Sequence, residues 1–166
     1  EQEMKALEDM GGLQWVPISE MPQGTKLLKN KMVYKMKVDM LGVPGRAKAR
    51  LVAKGFMETP AEYGGTFAQV CRHETTHAFF ASACAKNVEM CSVDIQHAFL
   101  TSPIDRVVYM ETPEGFERDG YCIRLGASIY GLCSAPRAYH QDFDKYLKQL
   151  QLHPEQADTC MYTSSN

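Results

Sequence analysis

The sequence predicts an α+β fold, and three observations carry that reading. Two stretches of alternating apolar and basic residues, Lys31–Val38 (KMVYKMKV) and Ala47–Phe56 (AKARLVAKGF), flank a run of turn residues from Asp39 to Gly45. An Ala-rich stretch of helical length, Arg72–Lys86, follows them. Beyond it come short mixed strands and a last helix. At 166 residues, the chain is long enough for one domain with a sizeable core.

Taken in order, residues 3–10 read as a short helix ended by Gly11-Gly12. Trp15-Val16-Pro17 is extended, and MPQGTK (21–26) is a turn. In Lys31–Val38, Met32, Tyr34, Met36 and Val38 share one face and three lysines the other, as in a half-buried strand. Ala47–Phe56 sets Lys48, Arg50 and Lys54 on one side, so the two stretches predict a basic β-hairpin. Residues 57–66 form a loop. Arg72–Lys86 is a helix with Phe79 and Ala83 at core spacing. Val88–Ile95 (VEMCSVDI) reads as a strand with Asp94 near its end, followed by a short turn or helix through Phe99. Val107–Met110 and Tyr121–Leu125 are strands on either side of the loop TPEGFERDG. Pro136–Gln151 is a helix with proline at a favourable N-terminal position, and Met161-Tyr162-Thr163 opens a final strand.

The composition, 45% hydrophobic and 23% charged, is that of an ordinary soluble domain. No apolar run reaches the roughly 20 residues that span a bilayer. The start, EQEMKALEDMGG, lacks the basic-then-apolar pattern of a secretory signal, so the expected setting is cytoplasmic or nuclear. The six cysteines form no CxxC pair and read as free thiols rather than a zinc site. Charge is uneven. Lys26–Lys54 holds nine Lys or Arg against the single acid Asp39, which makes that segment +8 and the rest of the chain −10. A basic face on an acidic body suits an anionic partner such as nucleic acid or a polyphosphate; the alternative is a solvated charged hairpin.

The stretch RHETTH (72–77) contains His-Glu-x-x-His, which on a helix aligns His73 and His77 with Glu74 between them, as in zinc peptidases. The longer metzincin pattern fails, because Phe80 and Ala83 stand where Gly and a third His are needed.

Several blocks together resemble the reverse transcriptase of copia-type retrotransposons. They are GRAKARLVAKGF (45–56), Thr66-Phe67-Ala68, CSVDIQHAFL (91–100), VYMETPEGF (108–116), SIYGLCSAPRAY (128–139) and Asp158 to Tyr162, in the family's order. The family opens a helix at the RHETTH position with an Arg and usually a second Arg, whose place His77 takes. On that basis His73, Glu74 and His77 are incidental and no zinc is expected. The resemblance implies a single partial polymerase domain over 1–166: fingers over about 13–70 and fingers and palm over about 71–166, with a basic β-hairpin, helices and a mixed or antiparallel sheet.

It further implies an RNA-directed DNA polymerase that uses RNA or DNA template-primer, deoxynucleoside triphosphates and two Mg²⁺ ions. Asp94 corresponds to one catalytic, metal-binding carboxylate, with the Ile95 backbone carbonyl beside it. Phe99 falls where a bulky side chain sits under the incoming sugar. Lys48, Arg50 and Lys54 would hold triphosphate or template, and Tyr130-Gly131 would pack beneath the nucleotide. Several positions depart from the family. Cys133-Ser134 replace Lys-Gln, Tyr139 replaces Trp, Ala47 replaces Tyr, Gly64-Gly65 replace a polar pair, and Gln69 replaces Pro. The family's other two carboxylates lie in a Tyr-Val-Asp-Asp hairpin, and no adjacent Asp pair occurs in this chain. The expectation is therefore a piece of a polymerase that is inactive alone; the rival reading is a non-catalytic nucleic-acid-binding remnant.

Overall fold

The computed structural model describes residues 1–164. In chain order its elements are α1 (Gln2–Asp9), β1 (Leu13–Pro17), β2 (Leu27–Leu28), β3 (Asn30–Val38), β4 (Pro44–Ala53), α2 (His73–Ala85), β5 (Tyr109–Met110), β6 (Tyr121–Leu125), α3 (Ala135–Gln149), β7 (Leu152–Pro154) and β8 (Tyr162–Ser164). Short 3-10 turns cover Ile18–Glu20, Gly55–Met57 and Ala98–Thr101.

The body is built on a mixed four-stranded sheet in the order β1-β6-β5-β2. β6 pairs antiparallel with both β1 and β5, whereas β2 and β5 run parallel. Met4 and Leu7, one helical turn apart on α1, share a buried core with Leu13, Leu28, Met110, Ile123 and Leu125 of the sheet. Each such side chain contributes about 1.5–3 kcal/mol on burial. Leu51 and Ala53 of β4 and Ile129 and Leu132 of the loop between β6 and α3 join the same cluster, which anchors the second sheet to the first.

That second sheet is the hairpin β3–β4, in antiparallel register from Asn30↔Ala53 to Met36↔Ala47, with a bulge between Met36 and Val38. Its turn is closed by the Asp39 carboxylate, whose Oδ1 accepts from the backbone N–H of Leu41 and of Val43, both at 2.9 Å. Gly42 supplies the left-handed residue there at φ +79°.

Three expectations are corrected. The apolar face of Lys31–Val38 is not half-buried along its length: Tyr34 is 71% exposed and Val38 60%. The ribbon outruns the body, so among the described residues only Met32, Leu51 and Ala53 at its root reach the core. Val88–Ile95 is not a strand. A strand is held by its ladder, and no neighbour among the described residues pairs with this segment, which leaves Val88, Met90, Val93 and Ile95 exposed. Phe79 does not occupy a core position either: it and Phe80 meet edge-to-face on the outer side of α2, and only Ala83 of that helix is buried. Smaller differences shorten the expected strand at Val107–Met110 to Tyr109–Met110 and move Phe56 from the end of β4 into a 3-10 turn. Among the described residues no helix is long and apolar enough to cross a membrane.

Candidate functional site

The root of the ribbon is pressed against the loop that precedes α3. The Ala53 N–H donates to the Tyr130 carbonyl at 2.8 Å, and the Gly55 N–H donates to the Gly131 carbonyl at 3.1 Å. Gly131 has φ +91°, and a Cβ built on it would lie 2.0 Å from the Ala53 oxygen, so only glycine lets the two backbones come this close.

This approach gathers side chains from three distant segments. The Arg50 guanidinium sits 5.3 Å above the Tyr130 ring centroid, a cation–π arrangement. The Tyr130 ring meets Phe99 edge-on at 4.9 Å between centroids. Phe99 in turn meets Tyr139 at 6.1 Å, and Tyr139 stacks on Phe143 at 5.7 Å, so α3 backs the cluster. Burial pushes the Tyr139 hydroxyl above its ordinary pKa. Arg50 takes part in none of the ion pairs among the described residues, and its Nε is buried with no hydrogen-bond partner. Arg50, Phe99, Tyr130 and Gly131 are therefore brought together. Lys54 lies half-buried at the ribbon's root and Lys48 is exposed one pleat beyond Arg50.

Beside this cluster lies a polar latch. The Glu58 carboxylate pairs with Arg106 and accepts from the Cys133 N–H at 3.2 Å. Arg106 also donates to Ser134 Oγ at 2.9 Å and to Asp105 at 2.8 Å. The Arg106 and Glu58 side chains are only 15% and 6% exposed. Burial works against the Arg106 charge, but the hydrogen bond and charge of Glu58 outweigh it and hold the pKa above its usual value. The Cys133 thiol, pushed up by burial and then by Glu58, donates to the Gly55 carbonyl at 3.2 Å. The sequence reading missed Glu58 and Arg106, since a lone Glu after a turn and an Arg in DRVV form no pattern.

Asp94 and Ile95 are exposed, in the irregular segment that runs into the 3-10 turn bearing Phe99. Among the described residues no three His, Cys, Asp or Glu converge as a metal-binding group, so Asp94 offers a single ligand. His73, Glu74 and His77 are exposed on the first turns of α2. The start of that helix is instead capped by Asp158: its Oδ2 accepts from the Arg72 N–H at 3.0 Å and its Oδ1 from the Cys160 N–H at 2.9 Å. A hydrogen bond from Thr75, followed by these two, lowers the Asp158 pKa to about 2. Burial, with donation of the Tyr162 hydroxyl to Asp144 at 2.8 Å, pushes Tyr162 up to about 12.

A family model described as reverse transcriptase (RNA-dependent DNA polymerase) matches residues 14–166. The chain is 33% identical over 166 residues to the retrovirus-related Pol polyprotein from transposon TNT 1-94 of Nicotiana tabacum, covering 98% of this chain and 12% of that polyprotein. It is 29% identical over 157 residues to the corresponding polyprotein from transposon RE2 of Arabidopsis thaliana, covering 92% of this chain and 11% of that protein. With the transposon Ty1-BL Gag-Pol polyprotein of Saccharomyces cerevisiae it shares 27% identity over 123 residues, 73% of this chain and 7% of that protein. No solved structure matches. The chain thus spans about an eighth of the tobacco relative. A family match over nearly the whole chain and these transposon relatives carry one conclusion: the chain belongs to the reverse transcriptase (RNA-dependent DNA polymerase) family, on its copia-type side.

Proposed function

We propose that this chain is the nucleotide- and template-facing half of an RNA-directed DNA polymerase, with fingers over about 13–70 and fingers and palm over about 71–166. The observation that carries the reading is Arg50: a guanidinium with no acidic partner and no acceptor for its Nε among the described residues, held over Tyr130 at the point where Phe99 and Gly131 also meet. A guanidinium without a counter-charge is costly to hold half-buried, and an anionic ligand would supply that charge.

In this reading the Arg50 fork holds triphosphate or template phosphate while its face rests on Tyr130, and Lys48 and Lys54 add point charges along the same side. Phe99, propped by Tyr130 and Tyr139, closes the space under the sugar and excludes a 2′-hydroxyl. Gly131 lets the backbone lie flat beneath the nucleotide. Asp94 and the Ile95 carbonyl would contribute to a two-Mg²⁺ centre, which stabilises the attacking and leaving oxygens of nucleotidyl transfer when bound. One carboxylate, with no adjacent Asp pair in the 166 residues, does not fit that centre by itself. The chain alone is therefore expected to bind without polymerising.

Filter binding of a template-primer across a salt series tests the reading. The affinity should fall steeply with salt, and Arg50→Ala should reduce the logarithmic slope by about one. Purified chain should give no Mg²⁺-dependent primer extension. A wild-type chain that ignores template-primer at low salt contradicts the binding role, and measurable extension contradicts the inactivity.

A further inference from the structure

The start of α2 and the turn before β8 meet at one carboxylate, and each brings a cysteine to it. The Cys71 thiol donates to Asp158 Oδ2 at 3.7 Å, and the Cys160 N–H donates to Asp158 Oδ1 at 2.9 Å. Cys71 is exposed and also lies 3.6 Å from the Thr76 hydroxyl on the first turn of the helix. Cys160 is half-buried. Burial, then the charges of Asp158 and of Cys71, push the Cys160 thiol above its ordinary pKa, so the two sulfurs sense each other. Neither thiol belongs to the ribbon or to the cluster around Arg50. The helix between them and the outside buries Ala83 alone, so its start is free to adjust if the two sulfurs join.

We propose that Cys71 and Cys160 are a disulfide site, oxidised by a low-molecular-weight disulfide such as oxidised glutathione, that locks the start of α2 to the turn before β8. Accessibility sets the order of events. The exposed Cys71, as thiolate, attacks one sulfur of the oxidant, forms a mixed disulfide and expels a thiolate that takes up the proton Cys71 lost. Cys160, deprotonated in turn, attacks the Cys71 sulfur, closes the intramolecular bond and expels the second thiolate, which takes up the Cys160 proton. The protein pair gives up two electrons, and the oxidant is reduced to two thiols. Oxidation removes the Cys71 S–H donor from Asp158 and puts a covalent link in its place. The hydrogen-bonded tether loosens when acid protonates Asp158, whereas the disulfide does not. The site therefore converts a lightly held flank into a fixed one, independently of any nucleic acid.

The test incubates the 166-residue chain with oxidised glutathione, blocks remaining thiols with N-ethylmaleimide and maps the cross-links by mass spectrometry without reduction. The expected product is one intramolecular Cys71–Cys160 bond, reversed by dithiothreitol. Under non-reducing conditions it should raise the melting temperature by roughly 5–10 °C and slow amide exchange in α2 about 10-fold. Cys160→Ser should stop at a glutathione adduct on Cys71, and Cys71→Ser should leave Cys160 unoxidised. A chain carrying both Cys84→Ser and Cys91→Ser, which removes the other two exposed thiols, should close the bond like wild type. Separate adducts on Cys71 and Cys160 with no cross-link would overturn the site. So would bonding of Cys71 to Cys84 or Cys91, or a cross-link found only between copies of the chain. A Cys71–Cys160 bond that leaves α2 exchange unchanged would overturn the lock.

Discussion

The root of the ribbon and the flank formed by α2 and Val88–Ile95 are held in very different ways. At the root, Ala53 and Gly55 donate to Tyr130 and Gly131, Leu51 is fully buried, and the Glu58–Arg106 pair ties the following turn to the loop before α3. On the flank, α2 buries a single alanine, Phe79 and Phe80 lie outside, and the irregular segment with Asp94 has no ladder partner among the described residues. A tertiary tether on that side is the hydrogen bond from the Arg72 N–H, at the start of α2, to Asp158. The difference separates two parts of the proposed chemistry. Arg50, the central group proposed to grip phosphate, is mounted beside the anchored root of the ribbon, while the proposed metal-binding carboxylate sits on a segment with little of its own to hold it.

Mutations at the root should therefore matter far more than mutations on the flank. Gly131→Ala should have the largest effect, about 3 kcal/mol by urea unfolding, because a side chain at a positive φ would also collide with the Ala53 carbonyl. Glu58→Ala comes next, at about 2 kcal/mol. That is less than the ~3–5 kcal/mol for breaking a fully buried pair, since Arg106 keeps Ser134, Asp105 and some water. A smaller effect follows from acid. The Asp158 carboxyl is held near a pKa of about 2, below the ordinary Asp value of about 3.9, so the stability it lends is complete above that ordinary value and is lost as pH falls toward 2. Thermal melts should show wild-type stability falling between about pH 4 and pH 2, and Asp158→Asn should flatten that part of the fall. Val93→Ser on the exposed flank should change stability by no more than about 0.5 kcal/mol. A larger loss there would mean that the flank is better packed than its exposure indicates.

The ribbon was legible in the sequence because everything it needs is local. Two alternating stretches lie within reach of each other, and Asp39 and Gly42 supply the turn between them. Val88–Ile95 carries a similar alternation, but a strand also needs a neighbour, and alternation says nothing about whether one is present. How deep the ribbon's apolar face is buried was equally hidden, since that depends on how far β3 extends past the core. The seam between Gly131 and Ala53 joins residues 78 positions apart and leaves no local mark except a glycine. Glu58 and Arg106 leave none. Composition and spacing pointed only to a basic hairpin; it was the family resemblance that named Arg50, Phe99, Tyr130 and Gly131 as one set, and the fold is what joins them. Asp158, quoted in that resemblance without a role, serves as a cap on a helix 86 positions away.

Amide hydrogen exchange of the 166-residue chain with and without a single-stranded RNA tests the central claim most directly. Without RNA, the amides of Ala53 and Gly55 should be among the slowest to exchange and those of Val88–Ile95 among the fastest. Adding RNA should slow exchange in β3, β4 and the Tyr130–Gly131 loop while leaving α2 unchanged. Protection that appears instead around His73 and His77, or a ribbon root that exchanges as fast as the Asp94 segment, would contradict the account.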